Sequence, residues 1–357
     1  MDPFADWGLR ATALAAAAVI AWGVATWMAA RAVNLGLLVR PQARSSHLRP
    51  TPHGGGLGVV LGFSLVAIWW GIDFPGLRSV AVLTFPLAVM GLLDDLRHMS
   101  IVLRLSTQTL VCGALLWGPL AGLPAITFGD TVPLEGYGLS VILLLAAVWW
   151  VNLFNFMDGI DGLAGGQAIS MVLLAATMIV STQADAWGSP LWWALLAIAA
   201  STSGFLMQNW SPARIFMGDV GSTWLGAILF AIAGLTIAAG WMTYAAWLIL
   251  AAVFITDATV TLATRVARGE PWYRAHRDHA YQKLVRRFGP DRTRAHRRVS
   301  LLAMAVNGLW LGPLAWLSLE QTAFASLWLG LAYVPLVVAA VWIGAGRSDK
   351  VSPATSA

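Results

Sequence analysis

The chain has 357 residues, of which 58% are hydrophobic and only 11% charged, with a formal net charge of +5 at pH 7. A soluble domain carries about 25% charged residues, so a pair or trio of soluble domains is excluded: too few polar groups exist to cover a water-facing surface. The basic residues sit in loops between apolar runs, the positive-inside pattern of a membrane protein, and this placement argues against nucleic acid as a partner.

The expected fold is an all-α, polytopic helical bundle. Residues 1–344 are expected to form one transmembrane domain, and the polar tail 345–357 to be disordered. The N-terminal stretch carries Asp2 and Asp6 where a cleavable signal has basic residues, and its apolar run is long enough to cross a bilayer. Spans of about 20 apolar residues are read at 11–30, 55–72, 79–93, 102–120, 138–154, 166–183, 190–208, 221–238, 241–263, 301–318 and 323–344. Pro86 interrupts the third, and the link after the eighth, around Gly240, is very short, so ten spans are the alternative to eleven. Cys112, the one cysteine, lies in an apolar run, so no intrachain disulfide forms.

Threading eleven spans from an outside N-terminus puts Arg10 and Arg78 outside and the remaining 20 of 22 Lys and Arg residues on the cytoplasmic side. The C-terminus and the polar loops on its side of the membrane are therefore expected to be cytoplasmic. Segment 264–300 holds eleven Lys and Arg against Glu270, Asp278 and Asp291. It reads either as a solvated loop beside anionic lipid or as a polyanion-binding loop.

Four polar clusters fall on that same side. Ser46 to Gly56 follows the first span, with Arg49, His53 and the run Gly54-Gly55-Gly56, which permits either helix packing or a phosphate cradle. Asp94-Asp95 follows the third. Asn152 to Gly166 follows the fifth, with Asn155, Asp158 and Asp161. Each of those two aspartates precedes a glycine, so an irregular backbone lining a polar cavity competes with a simple Asx-type turn. Asn209 to Ser222 follows the seventh, and Gly218-Asp219 opens the eighth span, where Asp219 either caps the helix or joins a phosphate site at its N-terminus. Five aspartates at one membrane face repel one another unless a cation intervenes. Oxygen ligands suit Mg²⁺, with Mn²⁺ as a substitute, and one cysteine offers zinc no thiolate set. In the basic loop, His276, Arg277, Asp278 and His279 lie within four residues and could donate to phosphate oxygens.

Four stretches together resemble the polyprenyl-phosphate N-acetylhexosamine-1-phosphate transferases, the family of phospho-MurNAc-pentapeptide transferase and of the enzymes that start O-antigen and teichoic-acid synthesis. They are Ser46-His47…Pro50-Thr51-Pro52…Gly54-Gly55, Gly91-Leu92-Leu93-Asp94-Asp95, Asn152-Leu153-Phe154-Asn155-Phe156-Met157-Asp158-Gly159-Ile160-Asp161-Gly162-Leu163-Ala164 and Phe216-Met217-Gly218-Asp219-Val220-Gly221-Ser222. The resemblance implies a Mg²⁺-dependent transfer of sugar 1-phosphate from a UDP-N-acetylamino sugar to undecaprenyl phosphate, releasing UMP. It implies a metal ligand at Asp219, with Asp94 and Asp95 at the metal or lipid phosphate. Asp158, Asp161 and Asn155 fall on the nucleotide side, Phe216 stacks on uracil, Asn209 and Gly218 contact substrate, Arg49 supplies a basic contact, and His279 is the late histidine with His276 and Arg277 beside it. The resemblance further implies a bacterial inner membrane with the active site on the cytoplasmic face, and a homodimer is a candidate assembly.

The chain departs from the family where the late motif reads His279-Ala280-Tyr281-Gln282 in place of a histidine cluster. That departure argues against the peptidoglycan substrate and toward branches acting on deoxy amino sugars for surface polysaccharide. A transporter or lipid flippase is the reading from a different class, and it would require charged residues at the bilayer midplane.

Overall fold

The computed structural model describes residues 3–39, 50–126, 133–271 and 276–348. Fourteen α-helices make up most of them. In chain order they are α1 (Pro3–Leu35), α2 (Leu57–Trp70), α3 (Pro75–Arg97), α4 (Ile101–Trp117), α5 (Gly136–Phe156), α6 (Leu163–Thr182), α7 (Pro190–Asn209) and α8 (Asp219–Ala238). There follow α9 (Tyr244–Leu250), α10 (Ala252–Ala267), α11 (Ala280–Arg287), α12 (Arg292–Val306), α13 (Gly312–Glu320) and α14 (Ala325–Ile343). One small antiparallel ladder pairs Leu38 with Pro52 and Val39 with Thr51.

Apolar helices occur at all eleven expected spans. Among the described residues eight are long and apolar enough to cross a bilayer, and the bent pair α9 and α10 makes a ninth. The other two, α2 and α4, have 14 and 17 residues, about 21 and 26 Å at 1.5 Å per residue, short of a ~30 Å hydrocarbon core. Pro86 does not interrupt the third helix, which runs unbroken from Pro75 to Arg97. Proline is tolerated where neighbouring helices satisfy the freed carbonyl.

The bundle is organised around α8. Within its apolar window 94% of residues are buried, against 11% for α14, so α8 is the central post and α14 an outer, lipid-facing stave. Helices α2, α3, α5 and α7 surround α8. The α9–α10 pair bends by 73° at Ala251. The bend frees backbone carbonyls deep in the bundle, and Gln167 supplies a partner: its Nε2 donates to the Leu250 carbonyl at 2.9 Å. Asn307, in a π-helical turn over Asn307–Leu311, donates in turn to Gln167 Oε1 at 2.6 Å. Buried polar groups thus satisfy each other where the helices deviate.

The motif loops gather at one end of the bundle. Gly55 and Gly56 donate to the carbonyls of Phe216 and Met217, each at 2.9 Å, and Phe216 donates to Pro52 at 2.8 Å. Arg10 lies at the opposite end, donating to the Gly188 carbonyl at 2.9 Å, and Arg78 sits in the first turn of α3 at that same end. The start of the expected tail is packed: Gly346 donates to the Asp278 carbonyl at 2.8 Å and Ala345 is buried. Residues 349–357 of that tail lie outside the described residues.

Candidate active site

The site is built on the N-terminus of α8. Gly218 occupies the N-cap position at φ +76°, with no side chain to satisfy the free N–H groups. Asp95, from the end of α3, does so instead. Its two oxygens accept from Asp219 N at 3.0 Å and Val220 N at 3.2 Å, and His53 Nδ1 lies 3.1 Å from it. Close approach requires glycine here. A Cβ on Gly218 would stand 2.6 Å from Asp95 Oδ2, one on Gly91 2.4 Å from the Asp219 carbonyl, and one on Gly56 2.3 Å from Gly221 Cα. Gly56, the last residue of the glycine run, therefore serves helix packing. The α8 N–H groups that could have met a phosphate hold Asp95.

Around this hub stands an acidic pair. Asp94 accepts from Met99 N at 2.5 Å and from Arg104 Nη1 at 2.7 Å. Asp94 and Asp219 are within hydrogen-bonding reach of each other, and Arg104 Nη1 lies 3.4 Å from Asp219 Oδ2. Asn155 Nδ2 donates to Asp219 Oδ1 at 2.7 Å and to Ser222 Oγ at 3.0 Å. Arg104 was missed by the sequence reading. Its signal was a cation in the first turn of α4, where the helix dipole disfavours positive charge.

The loop 157–162 carries two aspartates in different settings. The Asp158 carboxylate accepts no hydrogen bond from the described residues. Burial first, then the charges of Asp219, Asp95 and Asp161, push it well above the ordinary carboxylate range. Burial would raise Asp161 too, but His296, Ser211 and the Ala213 N–H outweigh it and hold Asp161 below that range. His296 Nδ1 is 3.3 Å from Asp161 Oδ2, and Ala213 N donates to the same oxygen at 3.1 Å. Asn209 is a buried strut: Oδ1 accepts from Gly162 N and Nδ2 donates to the Ile215 carbonyl, both at 2.9 Å. Asp161 and Asn209 thus hold the loops that carry Asp158 and half-buried Phe216. Arg49 lies outside the described residues.

The late histidine forms a second station. His279 stands at the N-cap of α11, its Nδ1 3.1 Å from Asp257 Oδ1. His276 stacks on it with centroids 5.0 Å apart, and Tyr281 at 5.6 Å. Burial, then the positive charges of His279 and Arg265, hold His276 down at about 4, so it is neutral at pH 7. Tyr281 Oη donates to the Phe156 carbonyl at 3.1 Å, tying this station to the end of α5 beside Asn155. Arg277 is exposed.

Among the described residues no three His, Cys, Asp or Glu side chains converge closely enough to hold an ion by themselves. The trio expected from the sequence is divided, because Asp95 turns to the α8 N–H groups while Asp94 and Asp219 face each other. The remaining donors are all oxygens with excess negative charge, which fits Mg²⁺. That ion commonly takes one or two carboxylates and completes its shell with substrate phosphates and water.

The pattern of glycosyl transferase family 4 matches residues 77–240, which span α3 to α8. The chain is 28% identical to the decaprenyl-phosphate N-acetylglucosaminephosphotransferase of Mycolicibacterium smegmatis, over 90% of this chain and 85% of that protein. It is 26% identical to a probable undecaprenyl-phosphate N-acetylglucosaminyl 1-phosphate transferase of Bacillus subtilis, over 86% and 83%. It is 32% identical to the phospho-N-acetylmuramoyl-pentapeptide-transferase of Moorella thermoacetica, over 64% of this chain and 75% of that protein. Similarity at this level, together with an acidic site assembled from the same stretches that carry the resemblance, shows that the chain belongs to glycosyl transferase family 4.

Proposed function

We propose that the chain transfers an N-acetylamino-sugar 1-phosphate from a UDP-sugar to undecaprenyl phosphate, as the first membrane step of a surface polysaccharide. The observation that carries this reading is the acidic pocket at the α8 N-terminus, where Asp94 and Asp219 share Arg104 and Asp158 meets the charge of Asp219. The active site is read as cytoplasmic, since the basic residues concentrate at its end of the bundle.

In this reading an oxygen of the lipid phosphate forms a bond to the β-phosphorus of the donor. The bond from that phosphorus to the bridging oxygen breaks, and UMP leaves with the electron pair. A phosphate monoester is already largely ionised at neutral pH, with a second pKa of about 6, so no strong base is required. Asp219 and Asp94 would hold Mg²⁺, with Asp158 facing the same space. The bound ion would neutralise charge on the diphosphate. Asn155 orients Asp219, and Asp95 fixes the helix that carries it. Arg104, paired with Asp94 and Asp219, would meet diphosphate oxygens, and His279 would donate toward a phosphate from the α11 side.

Two donor classes compete. The relatives named for N-acetylglucosamine favour that sugar. The stretch His279-Ala280-Tyr281-Gln282 favours a deoxy amino sugar. The transporter alternative lacks a charged path, since Asp257, the best midplane candidate, is fully engaged by α11. The test is UMP release from undecaprenyl phosphate and a panel of UDP-N-acetyl sugars, with Mg²⁺ or with EDTA, beside Asp219→Ala. Metal-dependent UMP from one donor, lost in the variant, is expected. Release that is indifferent to EDTA and to Asp219→Ala would overturn the proposed metal site.

A further inference from the structure

A carboxylate buried in a bilayer-spanning helix is costly and calls for a specific reason. Asp257 is such a group, 6% exposed, on α10 beyond the 73° bend. Both its oxygens face the start of α11. Oδ1 accepts from Ala280 N at 2.9 Å and Oδ2 from Tyr281 N at 2.9 Å, while Thr261 Oγ1 donates to Oδ1 at 3.1 Å. Capping by itself does not require this arrangement, because Ser, Thr, Asn or Asp at the N-cap does it locally. Here the N-cap is His279, and a carboxylate on another helix accepts from the first two N–H groups of α11. His279 Nδ1 lies 3.1 Å from the same carboxylate.

We propose that Asp257 is a positioning residue, which accepts from the Nδ1–H of the His279 imidazolium and so holds the ring with its Nε2–H free to donate to substrate phosphate. This rests on reading His279 as part of the active site. The first turn of α11 offers a competing arrangement, because the Gln282 N–H also approaches the His279 side chain. A ring nitrogen cannot donate to Asp257 and accept from Gln282 together. An ionised carboxylate repels a lone pair, so the Asp257 contact decides for a proton on Nδ1. The ring is then stacked between His276 and Tyr281, with Phe156 at 6.3 Å, three residues before Gly159. In this way one carboxylate sets helix and histidine as a unit against the Asp158 loop.

The experiment combines kinetics of Asp257→Asn, His279→Gln and the double variant with ¹⁵N NMR of histidine-labelled wild-type protein, the His279 signals being assigned by their loss in His279→Gln. Asp257→Asn is expected to lower kcat by about 10²-fold with KM little changed, and the double variant to be no worse than His279→Gln. Asp257→Glu should restore part of the loss. The NMR needs no folded variant of Asp257, and should find Nδ1 and Nε2 both protonated at neutral pH. Independent, multiplying losses, or either ring nitrogen without a proton, would overturn the proposal. If His279→Gln turns over normally, the placing of His279 in the site falls. If His279→Gln is impaired and Asp257→Asn is not, only the role of Asp257 falls.

Discussion

Asp158 and Asp161 stand three residues apart in one loop, and the protein treats their charges in opposite ways. Asp161 faces α12 and the 211–213 turn, where His296 and the Ala213 N–H meet it. Asp158 faces α3 and α8, where it meets the charges of Asp95 and Asp219 and accepts no hydrogen bond among the described residues. Asp161 is the more buried of the two and yet the one held low, so burial does not separate them. Partners do, and a charge left without a partner in a cleft marks a place that waits for something positive. The loop is thus anchored at one end and chemically poised at the other.

The largest effect should come from the poised end. Asp158→Asn is expected to lower turnover by about 10²-fold or more, yet to raise thermal stability at pH 8. The sign follows from the upward shift: stability is lost as pH rises from the unfolded value, about 4, through the folded one. The wild type is therefore handicapped at high pH and the variant is not. Unfolding in detergent at pH 4 and 8 measures this, and an Asp158→Asn that is less stable at pH 8 breaks the comparison. Asp161→Asn should do the reverse, costing about 2–3 kcal/mol at neutral pH by disturbing a buried, partnered charge. Its folded value is depressed, so that stability is present above the unfolded value and lost as pH falls through the folded one. The gap between wild type and variant should close below about pH 4. Arg104→Gln should change stability by less than ~1 kcal/mol, since its side chain is 36% exposed. It should raise the donor KM about tenfold if it meets the diphosphate. Arg268→Ala, at a solvent-facing pair with Glu270, should stay within about 0.5 kcal/mol and leave turnover unchanged.

The sequence reading carried the helical bundle and the grouping of the motifs at one end, because apolar length and glycine–aspartate pairs are local signals, though two of its eleven spans, α2 and α4, are helices of only 14 and 17 residues. What it missed is long-range. Nothing near Asp95 in sequence says that it caps a helix beginning 124 residues later. Asn209 read as a substrate contact because a buried strut and a ligand both look like a polar residue at a helix end. The bend at Ala251 has neither proline nor glycine beside it, and its support, Gln167, lies 83 residues away. Pro86 misled in the other direction, because its local signal for a break is overridden by packing against the central helix α8.

The contact between Gly346 and Asp278 has a bearing on how the protein comes into being. Helices α3, α5 and α8, which carry the acidic pocket, are synthesised well before α14. The His279 loop and α11 are pinned from behind by the end of α14 and the segment after it, where Gly346 donates to the Asp278 carbonyl and Arg287 to that of Ile343. A nascent chain would therefore own its acidic half early and its histidine half only when the final span has docked. Until then the acidic pocket would stand without its histidine half, so the order of synthesis would decide when the site is complete.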